Sequence, residues 1–116
     1  MRIKTIELLT KKEAIATVVT VTGRLDAITT PEYEKKLHEL IQGGEKFLVI
    51  DFEKLDYISS AGLRGLLLTA KQLKAVSGQV RFAHVAGPVK EVFDMSGFGS
   101  IFQIDASVAD ALSALA

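Results

Sequence analysis

The sequence contains no cysteine and no tryptophan, and it has only two prolines among 116 residues. The lack of cysteine excludes disulfide frameworks, thiolate catalysis and cysteine-based zinc sites. Long apolar runs are also missing, because every stretch without a charge or a glycine is far shorter than the ~20 residues that a membrane-spanning helix needs. We therefore expect a chain that does not span a membrane.

An excess of either charge is absent too, since 14 Lys and Arg balance 14 Asp and Glu without forming a block of one sign. Nucleic-acid binders depend on clustered positive charge to displace counterions from phosphates, so we expect no direct contact with nucleic acid. The opening segment 1–7 alternates polar and apolar residues and lacks the continuous apolar stretch of a secretory signal. We expect the protein to be cytoplasmic.

What is present is the composition of one globular domain, with 48% hydrophobic and 24% charged residues. This apolar content supports a core and argues against global disorder, and a length of 116 residues suits one domain over residues 1–116.

Apolar periodicity predicts strands that alternate with helices. The predicted strands are Ile3–Leu9, Ala14–Thr22, Phe47–Ile50, Val80–Val85 and Ile101–Ile104. The predicted helices follow Thr30 as N-cap, follow Ser59-Ser60 up to Ser77-Gly78, and cover Pro88–Met95 and Ser107–Leu115, with Asp105 as a candidate cap for the last. The first helix carries an apolar stripe at Tyr33, Leu37, Leu40 and Ile41 and ends at Gly43-Gly44.

The order β-β-α-β-α-β-α-β-α predicts an α/β fold with a mainly parallel sheet. The first two strands would form an antiparallel hairpin, connected by the polar residues 10–13. The continuous apolar run Phe47–Ile50 is typical of a central strand covered on both faces.

Two hydroxyls and a glycine, Ser59, Ser60 and Gly62, lie at the predicted junction between the Leu55–Ile58 segment and a helix. The first backbone N–H groups of a helix have no internal partner, so a phosphate on a serine there would meet donors already in place. A serine at this position is more often only a cap, and Gly62 then serves close packing.

Three segments resemble, in the same order, the motifs of the STAS family: Gly23-Arg24-Leu25-Asp26, Val49-Ile50-Asp51-Phe52 leading into Tyr57–Leu63, and Phe93–Phe98. The resemblance covers nearly the whole chain, and a short free-standing chain of this kind resembles bacterial anti-sigma-factor antagonists. It implies a four- to five-stranded mixed sheet flanked by about four helices.

The resemblance also implies a partner switch. The unphosphorylated antagonist would bind an anti-sigma factor that is also a serine kinase, phosphorylation at Ser60 would end that binding, and a phosphoserine phosphatase would restore it. Asp26 matches a loop aspartate near the phosphorylated serine, and Arg64 stands where family members often carry a small residue. The expected docking face comprises Asp26, Ser59, Ser60, Gly62 and Arg64.

Ser59 replaces the aspartate that usually precedes the phosphorylated serine, so Ser59 is the alternative phosphorylation site. Motif alignment favours Ser60, as does the short reach of the helix dipole. Without the resemblance, Asp26 is a turn residue, and Phe93, Met95 and Phe98 are core or rim residues.

Other functions find less support. Nucleotide-binding loops and the Gly-x-Ser-x-Gly elbow are absent from the sequence, so we expect no enzyme, no catalytic residue and no cofactor. His38 and His84 lack the paired spacing of metal ligands, so no metal site is expected. A receiver domain would need clustered acidic residues after the first strand. The main alternative is a stand-alone STAS module that scaffolds or regulates a transporter or another complex without a sigma circuit.

Overall fold

The computed structural model describes residues 6–116 as a six-stranded sheet with four α-helices. The strands are β1 (Ile6–Glu13), β2 (Ala16–Leu25), β3 (Phe47–Asp51), β4 (Leu55–Ile58), β5 (Gln79–Ala83) and β6 (Gln103–Asp105). The helices are α1 (Thr30–Gln42), α2 (Ser60–Ala75), α3 (Gly87–Ser96) and α4 (Val108–Leu115), and a 3-10 turn covers Phe98–Ser100.

The sheet has the strand order β1-β2-β3-β5-β6, and β4 pairs with the C-terminal end of β2. β1 and β2 are antiparallel, whereas the pairs β2–β3, β2–β4, β3–β5 and β5–β6 are parallel. The predicted N-terminal hairpin and mainly parallel sheet are confirmed. The number of strands is one above the expected range, because the four-residue segment β4 forms a separate strand.

The two faces of the sheet are covered unequally. Helices α1, α2 and α3 pack on one face and form the larger core, while α4 packs on the other face. In β3, Leu48 and Ile50 face the larger core and Val49 faces α4, and all three are fully buried. This confirms β3 as the central strand with both faces covered.

The stripe predicted for α1 is confirmed, since Tyr33, Leu37 and Ile41 are buried and Leu40 packs against them. On α3, Phe93 is buried, whereas Met95 is 87% exposed and takes no part in the core. Phe98, in the 3-10 turn after α3, is half-buried.

Several predicted boundaries are wrong. Residues 10–13 belong to β1, and the chain reverses at Ala14-Ile15, where Ala14 has a positive φ of 53°. An edge strand faces solvent along one side and tolerates the polar residues that suggested a loop. The part of the first predicted strand at residues 3–5 lies outside the described residues.

The two predicted caps are displaced by one or two residues. Thr29, not Thr30, precedes α1, and the side chain of Ser107, not Asp105, accepts the backbone N–H of Asp110 at the start of α4. Asp105 ends β6 and forms an ion pair with Arg81, which explains why it does not cap. Within residues 6–116, no helix combines the length and apolar content needed to cross a bilayer.

Candidate functional site

The site lies where β2 and β4 end side by side. Leu25 pairs with Ile58 in the parallel β2–β4 register, and the backbone N–H of Ser59 donates to the carbonyl oxygen of Leu25 at 2.9 Å. Asp26 follows β2 directly, and Ser59-Ser60 follow β4 directly. This pairing places the Asp26 turn beside the start of α2, although the two segments are more than 30 residues apart in sequence.

Ser59 and Ser60 have different environments. Ser59 is half-buried with extended backbone, and its Oγ accepts the N–H of Gly62 at 3.4 Å, so it is the N-cap of α2. Ser60 is the first residue of the helix and is exposed. The cap interpretation therefore applies to Ser59, whereas the hydroxyl of Ser60 is open to solvent.

Gly62 allows the first turn of α2 to approach β2 and β4 closely. A Cβ at this position would lie 2.7 Å from Cγ1 of Ile58 and 2.9 Å from the carbonyl oxygen of Leu25. Both neighbours are buried, as is Gly62 itself. The packing interpretation of Gly62 is confirmed, while its contact with a partner stays a prediction.

Asp26 organises the turn between β2 and α1. Its Oδ1 accepts the backbone N–H groups of Ile28 at 2.9 Å and Thr29 at 3.0 Å, and its Oδ2 accepts Nε–H of Arg24 at 2.8 Å. The hydrogen bond from the amide of Thr29, followed by those from Ile28 and Arg24, lowers the pKa of Asp26 below its ordinary value of 3.8. The turn interpretation of Asp26 is confirmed by these contacts.

Sequence reasoning missed three residues of this surface, namely Arg24, Tyr57 and Ile28. Arg24 connects Asp26 to the site, since its guanidinium also lies 4.9 Å above the ring of the exposed Tyr57. Ile28, at the tip of the Asp26 turn, is 86% exposed. The spacing of Arg24 and Asp26 was a weak signal for the ion pair, and one isolated apolar loop residue gave no signal at all.

Arg64 lies one helical turn after Ser60 on α2, and both residues are exposed. Leu68, another turn further, is also exposed and extends this stripe. Arg64 forms no salt bridge within residues 6–116. Asp26 is paired with Arg24. The guanidinium of Arg64 therefore remains available to an anion.

The chemistry of this site is that of an accessible hydroxyl at a helix N-terminus. Nucleophilic serine catalysis needs an adjacent base within hydrogen-bond reach. In the described part of the chain, neither Ser59 nor Ser60 has a hydrogen bond to a histidine or a carboxylate. Backbone donors and the positive end of the helix dipole instead favour an anion near Ser60.

Comparisons with known proteins agree with this geometry. A chain of Bordetella bronchiseptica named "Putative anti-sigma factor antagonist BtrV" is 43% identical over 82 residues, which are 71% of each chain. The anti-sigma-B factor antagonist of Staphylococcus aureus is 26% identical over 87 residues, covering 75% of this chain and 81% of that one. The crystal structure of an anti-sigma factor antagonist from Mycobacterium paratuberculosis superposes with a TM-score of 0.85 at 25% identity, over 94% of this chain and 92% of that one.

The family model described as the STAS domain matches residues 6–111, which include the whole sheet and the start of the last helix. This match covers the Asp26 turn, the paired ends of β2 and β4, and the serine pair at the start of α2. The chain therefore belongs to the STAS domain family.

Proposed function

We propose that this protein is an anti-sigma-factor antagonist whose binding to an anti-sigma factor is ended by phosphorylation of Ser60. The observation that carries the proposal is the division of roles between the two serines. Ser59 uses its hydroxyl to cap α2, whereas Ser60 presents its hydroxyl to solvent at the first position of a 16-residue helix. A kinase needs such an accessible hydroxyl, and the names of the related chains supply the class of partner.

The surface that we assign to the partner surrounds Ser60. It comprises the Asp26 turn with the exposed Ile28, the Arg24–Tyr57 contact, and the exposed stripe of α2 that includes Arg64. Ile28 and Tyr57 offer apolar and aromatic contact area, which is enriched at the energetic centres of protein interfaces. Ser59 and Gly62 hold the start of α2 against β2 and β4, and in this way they fix the position of this surface.

Phosphorylation would add about −1.5 to −2 charges and three acceptor oxygens at Ser60. The free protein tolerates that charge, because the phosphate lies at a helix N-terminus and one turn from the unpaired Arg64. A complex built around a neutral hydroxyl would have to desolvate the same charge, which is costly. Binding is therefore lost without any change of fold.

The partners required by this mechanism are an anti-sigma factor with serine kinase activity and a phosphoserine phosphatase. The test uses the anti-sigma factor encoded in the same genome, with binding measured by isothermal titration calorimetry and phosphate mapped by mass spectrometry. We expect the wild type to bind and to be phosphorylated on Ser60. Ser60→Asp should weaken binding at least about tenfold, which corresponds to ~1.4 kcal/mol.

Ser59→Ala is the matched control. It removes the neighbouring hydroxyl and about 1 kcal/mol of N-cap stabilisation, but it should keep phosphorylation on Ser60. Ser60→Ala should fold and bind while taking no phosphate. Phosphate on Ser59 would contradict the assignment of the switch, and a Ser60→Asp variant that binds like the wild type would contradict the mechanism.

A further inference from the structure

A second cluster of polar side chains lies outside the site around Ser60, at the ends of β3 and β5. Asp51 ends β3, Glu53 follows two residues later, and His84 follows β5. Each residue offers one atom that could ligate a metal ion, and these three atoms all lie within 4.8 Å of one another. The cluster draws on parts of the chain more than 30 residues apart, which is why the spacing of the histidines did not reveal it.

The backbone holds these side chains together. Asp51 pairs with Ala83 in the β3–β5 register, and the N–H of Phe52 donates to the carbonyl oxygen of Ala83 at 3.0 Å. His84 adopts a left-handed conformation with φ of 59°, and the N–H of Glu53 donates to Oδ1 of Asp51 at 3.0 Å. The group is therefore largely pre-organised by the sheet.

The imidazole of His84 is oriented by Asp51. Its Nδ1 lies 2.9 Å from Oδ1 of Asp51. An ion that displaces the proton between these two atoms can take both as ligands, because a metal binds histidine through a deprotonated ring nitrogen. Asp51 and His84 are therefore already close enough to ligate the same ion.

Charge and space both favour a cation here. Neither Asp51 nor Glu53 has a lysine or arginine partner in the described part of the chain, whereas the nearby Asp105 is neutralised by Arg81 through two hydrogen bonds of 2.7 and 3.0 Å. His84 and Glu53 line a surface cavity of about 360 Å³, which leaves room for an ion and its water ligands.

We infer that Asp51, Glu53 and His84 form a binding site for a divalent transition-metal ion of the zinc type. An imidazole with carboxylates selects such an ion over Mg²⁺, which prefers oxygen ligands alone. The ion would neutralise the two carboxylates and join the end of β5 to the loop that leads into β4. This proposal departs from the expectation of no metal site, which was drawn from the spacing of His38 and His84.

The test is calorimetric titration of the tag-free full chain with ZnCl₂, and with MgCl₂ in parallel. We expect saturable 1:1 binding of Zn²⁺, no binding of Mg²⁺, and a higher thermal unfolding midpoint with Zn²⁺ because the ion binds only the folded state. His84→Asn suits the left-handed backbone and removes the imidazole, and Glu53→Gln changes an exposed loop residue. Each variant should weaken Zn²⁺ binding at least about tenfold.

His38→Ala is the matched control, because His38 is the only other histidine and lies exposed on α1. It should bind Zn²⁺ like the wild type. Absence of saturable binding would overturn the inference, as would wild-type affinity in both His84→Asn and Glu53→Gln, or loss of binding in His38→Ala. The readout uses the metal alone, so its outcome is independent of the anti-sigma-factor proposal.

Discussion

Gly62→Ala tests how the start of α2 is held against the sheet. The new methyl group would meet Cγ1 of Ile58 at 2.7 Å, the carbonyl oxygen of Leu25 at 2.9 Å and Cβ of Leu25 at 3.0 Å. None of these atoms can move easily, because Ile58 and Leu25 are buried in the core and the Leu25 carbonyl is bonded to the N–H of Ser59. The helix or the strand end would have to shift.

Two opposing terms set the magnitude. Overpacking a core position by one methyl group costs about 1–3 kcal/mol, whereas replacing glycine by alanine inside a helix stabilises it by about 1 kcal/mol. The balance is a net loss of about 1 kcal/mol in the free energy of unfolding. For a domain of this size, that loss corresponds to a decrease of about 4 °C in the thermal midpoint.

The assay is urea denaturation followed by far-UV circular dichroism. Ala61→Gly, at the neighbouring position in the same helical turn, is the control for helix propensity and should lose about 1 kcal/mol without any clash. If Gly62→Ala proved as stable as the wild type or more stable, the close approach of α2 to β2 and β4 would not constrain this position, and the packing argument would fail.

Two further predictions concern the α1 side of the molecule. Tyr33→Phe should lose about 1 kcal/mol, because it removes the buried hydrogen bond between the Tyr33 hydroxyl and Oγ1 of Thr69 at 3.0 Å, and a chemical denaturation midpoint equal to that of the wild type would contradict this role. Asp26→Asn should flatten the loss of stability in acid. The lowered pKa of Asp26 means that its ionised form stabilises the fold above pH 3.8, and that this contribution is lost as the pH falls through the folded-state pKa. Urea midpoints measured between pH 7 and pH 3 decide the matter, and equal slopes for the wild type and the variant would refute it.

Patterns of apolar residues were enough to predict most of the elements. The stripe through Tyr33, Leu37 and Ile41 located α1, and the continuous run in β3 located the centre of the sheet. These predictions succeeded because the period of apolar residues reports directly which face of an element is buried. The junction at Ser59-Ser60 was also visible, since hydroxyl residues before an apolar helical pattern are local signals.

Local signals failed where tertiary contacts compete with them. Asp105 has the chemistry of a helix cap, but its carboxylate is occupied by the guanidinium of Arg81 on a neighbouring strand. The polar end of β1 resembles a turn, but it is held in the sheet by pairing with β2. In each case the partner that decides the outcome lies on another element of the sheet.

The sequence by itself determined the α/β class, the central strand and the serine pair at the start of a helix. Only the tertiary structure decided that β4 pairs with the end of β2, which sets Asp26 beside Ser59, and that Asp51 meets His84 at 2.9 Å. The reason is physical. The period of apolar residues can be read from neighbours in the chain. Contacts between the ends of strands depend on strand order and register, which are fixed by pairings between distant segments.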